Sequence, residues 1–225
     1  HLRPGSVRRF STLEIFGRVA SLADALADLG VGPGDRVLVL CDTRPEWHMV
    51  DIAVLGLGAV NVPIYGTLTP EQVAYQVRDS GAAVAVAEDE AQMAKLLEVR
   101  AGCPGLRHLA QLEGERAAGV LDLESLMTAG APGAGERFWE RAAKVCEDDL
   151  ATIVYTSGTT GEPKGVMLTH ANMMFTATSA ARMRGMTRND LSYGVLPMAH
   201  IVGLTAQFMG NLSAGSSLVL APRFT

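Results

Sequence analysis

Apolar residues recur along this chain in two alternating periods. Leu13, Phe16, Val19, Leu22, Leu26 and Leu29 fall three or four residues apart, the spacing of one face of an amphipathic helix. Ser11-Thr-Leu-Glu14 ahead of them reads as a capping box, and Gly30 behind them as the stop. Residues 36–40 then form a short apolar run suited to a strand. Thr43-Arg-Pro-Glu46 predicts a second helix start by the same capping logic, with proline in its first turn. Thr69-Pro-Glu-Gln72 predicts a third. Residues 82–87 read as a strand, residues 90–99 as a helix and residues 150–154 as a buried β-branched strand. Residues 168–175 open another helical pattern with Thr169 as N-cap, and residues 217–221 are a further strand.

Strands alternating with helices predict an α/β fold with a mainly parallel sheet flanked by helices on both faces. The pattern weakens around residues 114–135, where Gly119, Gly130, Pro132, Gly133 and Gly135 predict an irregular, partly mobile excursion. Residues 191–222 form a long uncharged stretch that could span a bilayer by length alone. Pro197, Gly203, Gly210, Gly215 and several polar residues interrupt it, and predict a buried helix, turn and strand instead. No internal repeat is apparent.

The 225 residues are 48% hydrophobic and 19% charged, enough apolar material for a substantial core. A formal net charge of -5 argues against a nucleic-acid partner, which needs a basic face. Arg8 and Arg9 make only a local basic spot, read as solvated surface. Cys41, Cys103 and Cys146 are odd in number and widely spaced, so neither a disulfide framework nor a zinc site is indicated. A reducing, cytoplasmic compartment fits. The absence of a signal pattern agrees, and the start at His1 suggests that residues precede it.

The chemistry concentrates in Tyr155-Thr-Ser-Gly-Thr-Thr-Gly-Glu-Pro-Lys-Gly165. Thr156, Ser157, Thr159 and Thr160 supply hydroxyls, Gly158, Gly161 and Gly165 let backbone N–H groups approach closely, and Lys164 adds a compact positive charge. That composition suits a cradle for an anionic polyphosphate, set between a strand and a helix. The bland alternative is a flexible surface linker; Pro163, Lys164 and the flanking elements argue against it. A Walker A loop is rejected, because Pro163 stands where its second glycine belongs and Gly165 follows the lysine. Neither Gly32-Pro-Gly34 nor Gly56-Leu-Gly58 completes a dinucleotide fingerprint.

The loop resembles the phosphate-loop signature of the adenylate-forming superfamily, which includes acyl-CoA synthetases, luciferases and peptide-synthetase adenylation domains. The resemblance runs from about residue 11 to the chain end and is weakest over residues 99–145. Leu29-Gly-Val-Gly-Pro-Gly34, Pro45-Glu-Trp47, Gly58-Ala-Val-Asn-Val-Pro63, Leu68-Thr-Pro-Glu-Gln72 and Asp79-Ser-Gly-Ala82 follow in the family's order. Val62-Pro-Ile-Tyr65 and the long spacer before the loop look most like long-chain acyl-CoA synthetases. Leu196-Pro-Met-Ala-His200 resembles the family's Leu-Pro-x-x-His segment. From spacing alone, a lone histidine in an apolar stretch reads as a core or helix-end residue; the resemblance implies that His200 lies near the reacting carboxylate and α-phosphate. His170, at a helix start, reads as a solvent-facing or capping side chain.

The resemblance implies that residues 1–225 are the N-terminal part of an AMP-binding large domain. The adenine-binding segment, a magnesium-associated glutamate, a ribose-binding aspartate and a mobile C-terminal domain with its catalytic lysine would lie beyond Thr225. The parent would be an ATP-dependent, AMP-forming fatty acid–CoA ligase using ATP, Mg2+ and coenzyme A. Its phosphate-binding residues would be Thr156, Ser157, Gly158, Thr159, Thr160, Gly161 and Lys164, with Thr160 at the magnesium ion and Lys164 and His200 in catalytic roles. Its partners would be fatty acid, ATP and CoA, with peripheral membrane contact left open. The 225 residues alone would bind ATP weakly and be inactive. Alternatives are a non-catalytic nucleotide-binding or interaction module, a peptide-synthetase-type adenylation domain and an aryl-acid ligase.

Overall fold

The computed structural model describes residues 2–3, 6–156 and 162–221. Strands β1 (Leu2–Arg3) and β2 (Ser6–Val7) pair antiparallel ahead of helix α1 (Thr12–Asp28). The predicted capping box forms: Ser11 Oγ accepts from the Glu14 N–H, and the Glu14 carboxylate accepts from the Ser11 N–H. At the other end Gly30, at φ 81°, donates to the Ala27 carbonyl, and Val31 donates to Leu26. That is the left-handed cap only glycine adopts freely. Leu13 differs from expectation. It is 79% exposed, because full burial in α1 begins only at Val19.

Then follow β3 (Arg36–Leu40), α2 (Pro45–Gly56), β4 (Val60–Ile64), α3 (Pro70–Ser80), β5 (Val84–Ala87) and α4 (Glu90–Val99). After them come β6 (His108–Gln111), β7 (Val120–Asp122), α5 (Leu123–Thr128), α6 (Ala134–Ala142), β8 (Leu150–Thr156) and β9 (Lys164–Thr169). These strands form one seven-stranded sheet in the order β7-β6-β5-β3-β4-β8-β9. Every pairing in it is parallel except β8 with β9. The sheet is thus mainly parallel, as the alternation of elements predicts.

Alternation along β3 sorts side chains to two faces. Val37 and Val39 join one core with α1 and α2, while Leu38 and Leu40 join the other with Val73 and Val77 of α3 and Met93 and Leu96 of α4. The helices divide this way because right-handed crossovers running in opposite directions lie on opposite faces. The chain goes from β3 through α2 to β4, then back through α3 to β5 on the far side of β3. Each fully buried Val or Leu here contributes roughly 1.5–3 kcal/mol.

Three expectations need correction. Thr43 does not cap α2: Arg44 is the N-cap residue, without a side-chain capping bond, and Pro45 opens the helix. Glu46 therefore sits one position too early for a capping box. Residues 114–135 are more regular than their glycines suggest, since they contain β7 and α5, with Leu123 and Met127 buried in the first core. Residues 191–221 begin with a strand, β10 (Leu191–Gly194), before the predicted helical part. That part is a π-helical segment (Gly203–Met209) running into α8 (Gly210–Ala214), and β11 (Ser217–Leu220) returns parallel to β10 as a second, two-stranded sheet. Between the sheets lies α7 (His170–Met183), with Thr169 as its N-cap in a capping box with Asn172. No helix among the described residues is long and apolar enough to cross a membrane.

Candidate functional site

Ser157, Gly158, Thr159, Thr160 and Gly161 lie outside the described residues, and the site is built from what flanks them. The loop connects two strands rather than a strand and a helix. β8 and β9 pair antiparallel with Thr156 opposite Lys164, Tyr155 opposite Gly165 and Val154 opposite Val166. The helix begins only after β9, because the alternating run after Lys164 extends β pairing to Thr169 before the capping box takes over. Thr156 and Lys164 are both exposed. They stand at the carboxyl end of β8, the end of a parallel sheet where ligands bind.

Gly165 has a steric reason. A Cβ there would lie 2.7 Å from Ile153 Cγ2 and 3.3 Å from the Tyr155 ring, so the ring occupies the space that a side chain would take. Tyr155 donates through its hydroxyl to Asp79 Oδ2 at 2.6 Å. Burial and that bond raise its pKa above the usual phenol value. Tyr75 of α3 donates to the Pro163 carbonyl at 3.0 Å, and its ring meets that of Tyr155 edge-on. Helix α3 therefore grips both sides of the hairpin just below its loop. The sequence reading missed this grip. Its signal was present, since Asp79-Ser-Gly-Ala82 stands among the family-like segments with no role attached.

His200 ends a turn whose middle is buried. Met198 and Ala199 face the core, whereas His200 is exposed. The His200 N–H donates to the Pro197 carbonyl at 3.0 Å, and its Nδ1 accepts from the Val202 N–H at 3.2 Å. With Nδ1 used as an acceptor, Nε2 is the ring nitrogen left to donate. A Cβ on Gly203 would sit 2.1 Å from the Pro197 carbonyl oxygen, so only glycine admits this closure. The π-helical segment starts at that glycine, a geometry frequent at functional sites.

The turn is fastened to the corner between β3 and α2. Thr43 Oγ donates to the Leu196 carbonyl at 3.2 Å, and the Leu196 N–H donates to Gln207 Oε1 at 3.3 Å. In the same corner the buried Arg44 side chain donates to Glu46, Glu88 and Glu113 at 2.7–2.9 Å. Arg8 adds a bond to Glu46 at 2.7 Å while its own side chain stays 42% exposed, as expected of solvated surface. Burial opposes the charge on Glu46, and Arg44 outweighs it, holding the carboxyl below its ordinary range. His48 of α2 stacks on Phe208, ring centroids 3.4 Å apart, and burial depresses it to about 3, leaving it neutral.

Beneath both segments, Asn61 of β4 donates to Asp51 of α2, and Thr152 of β8 donates to the Asn61 carbonyl at 2.9 Å. Burial raises Asp51 to about 7. His170 is not the cap, and it is half-buried. Thr169 caps α7, the His170 N–H donates to Asp149, and burial lowers the ring's pKa. A groove of about 720 Å3 runs beside the π-helical segment, lined in part by Phe10, Ile15, His48, Phe208, Leu212 and Leu218. Among the described residues no three His, Cys, Asp or Glu side chains converge on a metal position.

Comparison with known proteins gives concordant results. A family model described as AMP-binding enzyme matches residues 5–225. Long-chain-fatty-acid--CoA ligase FadD15 of Mycobacterium tuberculosis (strain ATCC 25618 / H37Rv) is 36% identical over 191 residues, covering 84% of this chain and 31% of that protein. The chain thus spans about a third of that relative's length. Long chain acyl-CoA synthetase 8 of Arabidopsis thaliana is 28% identical over 213 residues, covering 91% of this chain and 29% of that protein. Among solved structures, the anthranilate CoA ligase AuaEII in complex with anthranoyl-AMP superposes with a TM-score of 0.88 over 96% of this chain and 41% of that one. At 24% identity it speaks for the fold. The inhibitor-bound N-terminal domain of FACL13 from Mycobacterium tuberculosis, 28% identical, gives 0.82 over 99% of this chain and 52% of that one.

Proposed function

The chain belongs to the AMP-binding enzyme family, and from that premise we propose that residues 1–225 are the N-terminal part of the large domain of a long-chain fatty acid–CoA ligase. The carboxylate of the acid attacks the α-phosphorus of ATP, the bond to the bridging oxygen breaks, and pyrophosphate leaves from the acyl-adenylate. The thiol of coenzyme A then attacks the acyl carbon, and AMP departs.

Charge grows on pyrophosphate in the first step, so donors fixed in advance around the β- and γ-phosphates lower the barrier. Thr156, Ser157, Gly158, Thr159, Thr160, Gly161 and Lys164 take that role in this reading. His200 contacts the carboxylate or the α-phosphate through Nε2. It is not a general base, because a carboxylic acid is already ionised near neutral pH. A bound Mg2+ would neutralise phosphate charge, with Thr160 among the residues that would hold it.

The observation that carries the proposal is the pairing of Thr156 with Lys164 on a braced hairpin at the carboxyl end of β8. The long-chain preference draws on FadD15. A cytoplasmic setting accords with the three free cysteines. The test is adenylation by the protein encoded by the complete reading frame, offered acetate, benzoate, palmitate and a set of amino acids. Palmitate is expected to be used best, and the 225 residues alone to be inactive. Activity confined to benzoate or to amino acids would overturn the fatty-acid assignment.

A further inference from the structure

Thr43 is 3% exposed and lies between the end of β3 and the first turn of α2. Its place before Arg-Pro-Glu suggests a helix cap, yet α2 takes no side-chain cap at all. The hydroxyl instead crosses to the Leu196 carbonyl, 153 residues away in sequence. We propose that Thr43 is a positioning residue for His200, an inference that rests on the reading of His200 given above.

Two sets of contacts make Thr43 the link between a rigid support and the turn that carries His200. On the support side, Arg44 is 2% exposed in its side chain and binds Glu46, Glu88 and Glu113. Glu88 also accepts from the Asp42 N–H at 2.8 Å. The corner is thereby joined to the segments that follow β5 and β6, and it cannot shift without breaking a buried ion cluster, a costly event. On the turn side, the bonds run without a free joint from residue 196 to the imidazole. Gln207 holds the Leu196 N–H, Pro197 accepts from His200, and Val202 donates to the ring. Thr43 supplies the hydroxyl that fixes the near end of this turn to the corner. A buried hydroxyl aimed at a carbonyl so distant in sequence sets orientation, since removing it leaves the carbonyl without that donor.

The experiment compares Thr43→Val, Thr43→Ser, His200→Ala and the double variant Thr43→Val/His200→Ala in the protein encoded by the complete reading frame. ATP–pyrophosphate exchange is followed, and folding is checked by thermal melting. Thr43→Val is expected to lower kcat about tenfold, the scale of one lost orienting bond, with the KM for ATP unchanged. Thr43→Ser, which keeps the hydroxyl, is expected to restore exchange. In the His200→Ala background, Thr43→Val is expected to add nothing, because coupled residues are non-additive.

A normal Thr43→Val beside an impaired His200→Ala would overturn the positioning role and leave the reading of His200 standing. So would a loss that persists in full without His200, since a purely structural role behaves that way. His200→Ala exchanging at the parent rate would remove the reading of His200 itself, and this inference with it.

Discussion

The β8–β9 hairpin and the His200 turn occupy comparable places, each following the carboxyl end of a strand that is paired in parallel, but they are held by different means. The hairpin is braced from outside: Tyr155 and Tyr75 reach Asp79 and Pro163 through partly exposed hydrogen bonds. The turn is held from inside, with Met198 and Ala199 buried, Gly203 pressed against Pro197, and Thr43 and Gln207 gripping Leu196. In the reading proposed above, the loop must admit and release a polyphosphate, and the brace contacts only the strands and Pro163 beside it. A residue that orients a single small group gains from a support that does not move. The two share one foundation, because the chain Asp51–Asn61–Thr152 connects α2, which carries the corner, to β8, which carries the hairpin.

The comparison breaks first at Gly203. Replacing it with alanine sets a methyl group 2.1 Å from a backbone oxygen, and the turn must open. A destabilisation of roughly 4 kcal/mol or more is expected, read from denaturant melts.

The shared foundation responds to pH. Asp51 has its folded pKa raised to about 7 from an ordinary 3.8, so the folded state holds a proton that the unfolded chain gives up. The stability this contributes is fully present below pH 4 and disappears as pH rises through 7. About 4 kcal/mol is at stake across that window. Asp51→Asn should flatten the dependence between pH 4 and 7 in urea melts recorded at several pH values. A variant that keeps the parent slope would show that Asp51 is ionised in the fold.

The outer brace gives the smallest effect. Gly165→Ala crowds Ile153 and the Tyr155 ring, side chains with some room to yield, and about 2 kcal/mol is expected. If Gly165→Ala costs as much as Gly203→Ala, the contrast between an outer brace and an inner clamp fails.

Much of the fold was legible in the sequence, and the reasons are local. Ser11 to Glu14 and Thr69 to Gln72 are capping boxes because both partners lie within one turn, and helix α4 spans Glu90–Val99 as its periodicity predicts. Thr43 was misread for the opposite reason. Its local context resembles a cap, while its partner, Leu196, is brought to it only by the tertiary fold. The loop was placed between a strand and a helix because Lys164 to Thr169 is too short and too mixed to announce β9, which exists by pairing with β8. A cluster that is compact in sequence, such as the hydroxyls and glycines before Lys164, can be noticed without a structure. Side-chain contacts were hidden where distant residues cooperate, as Tyr75, Asp79 and Tyr155 do, and as Arg44 does with Glu88 and Glu113.

The central claim, that the hairpin presents Lys164 and its hydroxyl neighbours to departing pyrophosphate, is tested most directly by separating the two chemical steps in Lys164→Ala. ATP–pyrophosphate exchange should fall about a hundredfold, the usual cost of losing one preorganised donor. Transfer from preformed acyl-adenylate to coenzyme A should stay near the parent rate. Exchange that continues unchanged in that variant would contradict the account.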